Sequence, residues 1–134
     1  IMLVIAASLI STAYQMIRHH PYQNVYFNCL AGNDINQKFD LDYWGLSFRK
    51  GLEYLSKNDS RPAIGVSANV YAPMFNNLLL IDKKDSERIK PINIRQADYF
   101  ITNYRWHPQP YPFDNEVFSV SLDNMRILSV FKLQ

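Results

Sequence analysis

The residues of this 134-residue chain best suited to chemistry are three histidines, one cysteine and a pair of aspartates two positions apart. Their spacing serves little of it. His19 and His20 are adjacent, and neighbouring side chains on a helix point about 100° apart, so the two are poorly placed to share a metal. His107 stands alone, no HxxxH or HExxH pair exists, and Cys29 has no second cysteine beside it. No zinc site, no other metal and no cofactor is therefore expected. The apolar setting of Cys29, YFNCLAG, suits an inert buried thiol better than a nucleophile. No GxSxG elbow is present, and Ser47 falls in an expected helix without an obvious base. Asp40 and Asp42, in DLD, could act as an acid–base pair, but capping and loop solvation account for them more simply. Gly32, Gly45, Gly51 and Gly65 are too dispersed to make a phosphate-cradling loop.

The aromatic residues are better grouped. Tyr22, Tyr26 and Phe27 form one cluster, Tyr43 and Trp44 a second, and Tyr104, Trp106, Tyr111 and Phe113 a third. Ring faces beside Asn, Asp and Arg suit sugars, which offer apolar C–H faces and hydroxyls. They equally suit a belt at a bilayer interface, or plain core packing.

Several elements must position these clusters. IMLVIAASLISTAYQMI reads as a long apolar N-terminal helix whose only polar side chains, Ser8, Ser11, Thr12 and Gln15, share one stripe. Seventeen residues reach about 26 Å, short of the ~20 residues that cross a bilayer core. A secretory signal fits poorly, since no basic region precedes the run. A buried core helix, an interfacial helix and the tail of a transmembrane helix remain open. Pro21 ends the helix, because His20 before it is pushed out of the α region. NVYFNCL reads as extended, and AGNDINQ (31–37) as a turn. DYWGLSFRKGLEYLSKN (42–58) is amphipathic, with Trp44, Phe48, Leu52 and Leu55 on its inner face and Asp42 as N-cap. AIGVSANVY (63–71) reads as a buried strand and PMFNNLLLI (73–81) as a short helix. DKKDSERIKP reads as a polar connection with room for a helical stretch, and ADYFITNY (97–104) as a second strand parallel to the first. Pro108, Pro110 and Pro112 keep 105–115 irregular. Asp123-Asn124 marks a hairpin between the last two strands. These elements predict an α/β or α+β fold: a mixed sheet of about four or five strands with helices packed on it and a C-terminal β-hairpin. Residues 1–20 form the apolar helix segment, and 21–134 one globular domain.

Bulk properties narrow the function classes. Net charge is +2, and acidic residues interrupt the one basic grouping, Lys83, Lys84, Arg88 and Lys90. That pattern is a solvated face, so no nucleic-acid partner is expected. With 48% hydrophobic residues the chain can build a core without disulfides. It opens on Ile1 rather than Met, which leads us to expect a piece of a longer polypeptide.

In their order, HPYQNVYFN (20–28), FDLDYWGLSFRKGLEYL (39–55), ADYFITNYRW (97–106) and NEVFSVSLDNMRILSVFKL (115–133) span most of the chain. Together they resemble the C-terminal extracytoplasmic region of bacterial GT-C-type membrane glycosyltransferases related to dolichyl-phosphate-mannose–protein mannosyltransferases. The resemblance implies that residues 1–17 end or continue the last membrane helix, and that HHPYQNVYFN is the membrane-to-domain junction. It implies an accessory, non-catalytic domain on the extracytoplasmic side, with the bilayer near residues 1–27. Its partners would be the rest of the parent membrane protein and a lipid-linked sugar or glycan acceptor. The catalytic carboxylate of such enzymes lies in an early loop outside this chain, so the chain alone is expected to be inactive. A binding surface is expected to use His20, Tyr22, Asn28, Asp42, Tyr43, Trp44, Asn103 and Arg105. The alternatives are a stand-alone small hydrolase, with His20 or Asp42 as base, and a protein-interaction domain whose first helix pairs with a partner.

Overall fold

AIGVSANVY condenses into a five-residue strand, β1 (Ile64–Ala68), buried at every position but Gly65, and the sheet is assembled around it. The computed structural model describes residues 1–27 and 29–134. Asn28, and with it the side chain of Cys29, lies outside the described residues.

Five strands stand in the order β2 (Ile89–Pro91), β1, β3 (Tyr99–Thr102), β5 (Met125–Lys132), β4 (Glu116–Leu122). Strand β1 runs parallel to β2 and β3, and β5 runs antiparallel to β3 and β4. The expected parallel crossover and C-terminal hairpin are both present. Asp123 and Asn124 form the hairpin turn at φ 45° and 66°, a left-handed pair that Asp and Asn tolerate better than most side chains. Strand β2 lies within a segment expected to be a polar connection. Three residues are too few to show a period of two, and only the short helix α5 (Lys83–Ser86, numbered after α4 below) matches the polar reading.

Helix α1 spans Met2–Arg18, α2 is a single turn at Ile35–Lys38, and α3 runs Phe48–Asn58. Helix α4 follows β1 at Tyr71–Leu78. Phe48, Gly51, Leu52, Leu55 and Ser56 form the buried stripe of α3, at helical spacing. The helix begins at Phe48 and not at Asp42, so Trp44 leaves the expected inner face and is 71% exposed. Gly51 explains how closely α3 lies on the sheet: a Cβ there would stand 2.6 Å from Ile101 Cδ1 and 2.9 Å from Leu128 Cδ2. Below it, Leu52, Leu55, Ile64, Val66, Met74, Ile101, Leu128 and Val130 form the main core.

Phe100 and Phe131 are covered by Tyr111 and Phe113 of the proline-rich segment, at ring separations of 4.9 to 6.4 Å. A second core of Tyr22, Val25, Leu41 and Ile127 holds the 22–41 segment down. Within it, NVYFNCL (24–30) is not extended as expected: 3-10 turns form at Gln23–Val25 and Cys29–Ala31.

Not one residue of α1 is buried, so the core-helix alternative does not hold for this chain. Among the described residues, no helix is long and apolar enough to cross a membrane. Where α1 ends, His19 is 1% exposed and its Nδ1 meets the Gln15 carbonyl at 2.7 Å. Its Nε2 meets Asp123 Oδ2 at 2.5 Å, and Arg18 donates to Asp123 Oδ1 at 2.7 Å. The hairpin tip is thus tied to the root of the first helix.

Candidate functional site

Strand β1 feeds β2 on one side, through α4 and α5, while β3 lies on its other side. In open α/β sheets ligands favour the crevice beyond the carboxyl ends of strands at such a switch point. Here Asn69 follows β1 and Asn103 follows β3. Asn69 Nδ2 donates to Asn103 Oδ1 at 3.2 Å, and Asn103 Nδ2 donates to the Asp42 carbonyl at 2.7 Å. Asn77 of α4 donates to the Gly45 carbonyl at 2.9 Å. Two buried amides therefore clamp the Asp42–Gly45 turn at its ends. Gly45 (φ 67°) is required by that turn, for a Cβ would come within 2.4 Å of Pro73.

Asp42 is 1% exposed, and its carboxylate is filled from within. Leu46 N–H, Ser47 N–H and the Ser47 hydroxyl donate at 3.0, 2.8 and 2.5 Å, with Asn24 Nδ2 at 3.3 Å. It caps the residues leading into α3, and no lone pair is left aimed at solvent as a general base needs.

On this clamped turn the structure builds an aromatic shelf. The Arg105 guanidinium carbon lies 3.7 Å from the Tyr43 ring centre and 4.1 Å from that of Trp106. Trp44 packs edge-on against Tyr43 at 5.2 Å. Trp44 and Trp106 are both about 70% exposed, at 71% and 70%. Tyr104 and Trp106 hold φ of 59° and 60°, and Trp106 N–H donates to Asp40 Oδ1 at 3.0 Å. Among the described residues, the buried atoms Arg105 Nε and Asn69 Oδ1 have no hydrogen-bond partner.

The structure thus brings Asp42, Tyr43, Trp44, Asn103 and Arg105 together. Asp42 and Asn103 support the surface, whereas Tyr43, Trp44 and Arg105 form it. Tyr22 is not on it: it is 5% exposed in the second core, where burial, with the nearby charges of Asp42 and Glu53 after it, pushes its hydroxyl up to about 12. His20 belongs to the exit of α1, where Gln23 Nε2 donates to its Nδ1 at 2.9 Å. His20 and Asp42, each a base candidate for a small hydrolase, are therefore engaged separately with other partners. Asn28 lies outside the described residues. No group of three His, Cys, Asp or Glu could hold a metal among the described residues.

Beside the shelf lies a cleft of about 700 Å³ that residue types and spacing alone do not reveal. Its walls come from the 27–41 segment, from Asn103 and Tyr104, from Pro108 and Pro110, and from the hairpin tip 121–126. The one signal in the sequence is the density of short polar side chains: Asn33, Asp34 and Asn36 crowd into AGNDINQ, where turn formation is the simpler explanation. Only the folded chain sets them opposite Asp123 and Asn124.

No protein-family model, curated protein or solved structure matches the chain.

Proposed function

We propose that this chain is an accessory, non-catalytic extracytoplasmic domain of an integral membrane glycosyltransferase that takes sugar from a polyprenyl phosphate. In this reading α1 is held in the bilayer and the aromatic shelf meets the glycan acceptor. The observation that carries it is the surface of α1. Met2, Leu3, Val4, Ile5, Leu9, Ile10, Tyr14, Met16 and Ile17 are each at least half exposed. Apolar surface loses about 25 cal/mol for every Å² left in water, so a helix apolar nearly all round calls for lipid or protein around it. The residues at and after the helix end favour lipid: Arg18 closes it and the exposed Tyr26 lies beyond, the residue types of a membrane–water boundary. The stripe of Ser8, Ser11, Thr12 and Gln15 suits packing against another membrane helix of the parent protein.

Support for an acceptor role comes from the shelf. Exposed indole and phenol faces beside an arginine suit sugar rings, and the amide clamps beneath hold them in place without a ligand. The motifs quoted for the resemblance cover the same turn, the same strand ends and the α1 exit.

An antibody to this chain, applied to membrane and soluble fractions of native cells, tests the reading. A reactive band several times larger than 15.7 kDa, released only by detergent, is expected. A soluble band near that mass would overturn it.

A further inference from the structure

We propose that the cleft beside the shelf is a subsite for one neutral pyranose unit, with the adjoining unit of the same saccharide lying over Tyr43, Trp44 and Trp106. This deepens the acceptor role proposed above and rests on it. The volume, about 700 Å³, lies within the range of small-molecule sites. Among the described residues, the side chains of Asn33, Asp34, Asn36 and Asn124 line the cleft without a hydrogen bond of their own. Each amide offers a donor and an acceptor from one head, matching a hydroxyl that needs both. The Phe27 and Phe39 rings, 5.0 Å apart, supply the apolar wall that a pyranose C–H face requires.

Charge selects a neutral ligand. Asp123 is already taken by Arg18 and His19, and Arg126 by Glu116 at 3.0 Å. Among the described residues that line the cleft, Asp34 is the one charge left over, and Lys38, whose Nζ donates to the Asn33 carbonyl at 2.7 Å, stands beside it as an offsetting cation, so the balance favours a neutral ligand over a phosphate or a uronic acid. Cleft and shelf adjoin along the chain in two segments of the wall. Leu41 lines the cleft and Tyr43 the shelf; Tyr104 lines the cleft, and Arg105 and Trp106 come directly after it.

The test uses the full chain, labelled with ¹⁵N, in phospholipid nanodiscs, because sugar-headed detergents would compete. Maltotriose, mannotriose and chitotriose are titrated, with inorganic phosphate and adenosine as controls. We expect at least one trisaccharide to shift the side-chain amides of Asn33, Asn36 and Asn124 together with the indole N–H of Trp44 and Trp106. Asn36→Ala should weaken that binding about fivefold, the loss of one hydrogen bond. Phe39→Ala should weaken it by a similar factor while the remaining spectrum stays unchanged, which shows the fold intact. If no trisaccharide moves these amides, or if phosphate or adenosine moves them as strongly, the subsite is overturned. That failure would leave the detergent-extraction result, and so the membrane placement of the domain, untouched.

Discussion

Asp42 accepts hydrogen bonds from Asn24, Leu46 and twice from Ser47, so its removal strands buried donors. Asp42→Ala should cost about 2 kcal/mol or more in urea unfolding. Trp44 is the opposite case. At 71% exposure, Trp44→Ala should change stability by no more than about 0.5 kcal/mol, while on the proposed reading it lowers sugar transfer by the intact parent protein. A drop of several kcal/mol would return Trp44 to the core and remove the shelf. The pair at the α1 exit makes a pH prediction. The Asp123 hydrogen bond, and after it the Gln15 carbonyl, raises the pKa of His19, so its contribution is complete below about 6.5 and is lost as pH rises through the folded-state value. The same His19 bond holds Asp123 below the usual carboxylate range, so that contribution is present above about 4 and is lost as pH falls through its folded value. Urea midpoints taken from pH 4 to 9 should therefore decline on the alkaline side, and His19→Gln should remove most of that decline. At this scale the sequence is only partly legible. Residue types name the turn, yet which side chains point out and which support them depends on where a helix starts. Asp42 caps a turn before α3, where the periodicity of 42–58 places the helix itself.

Helix α3 and the sheet meet across a glycine, and that contact sets the depth of the core. Alanine ordinarily favours a helix over glycine by about 1 kcal/mol. Gly51→Ala should nevertheless destabilise by about 1–3 kcal/mol, because its methyl group enters space held by Ile101 and Leu128. A thermal melt of the variant decides the sign, and a gain in stability would mean that α3 rides higher on the sheet. Elements with a strong local signal are legible in the sequence: β1, α4, β3, the irregular proline segment and the Asp123–Asn124 hairpin. The elements that escape it are those with no period to display. Strand β2 exists because three residues pair with β1, and the turn at 23–25 is held because Tyr22 and Val25 dock on Ile127 beside Leu41. Tertiary contacts, not local preference, decide both.

Across the whole molecule, α1 stands outside both cores while the sheet, α3 and α4 share one. Deleting residues 1–17 should leave the cooperative unfolding of the remainder nearly unchanged by circular dichroism, and on the proposed reading the remainder should stay in solution without lipid or detergent. A molten remainder would show that α1 is part of the folding unit. The shelf also makes the molecule its own optical reporter. The chain has two tryptophans, and both stand there, about 70% exposed. Its intrinsic fluorescence should already be red-shifted in the native state and change little on unfolding. The same emission should respond directly when anything settles over Tyr43 and Arg105, so occupancy of the surface is readable without a label.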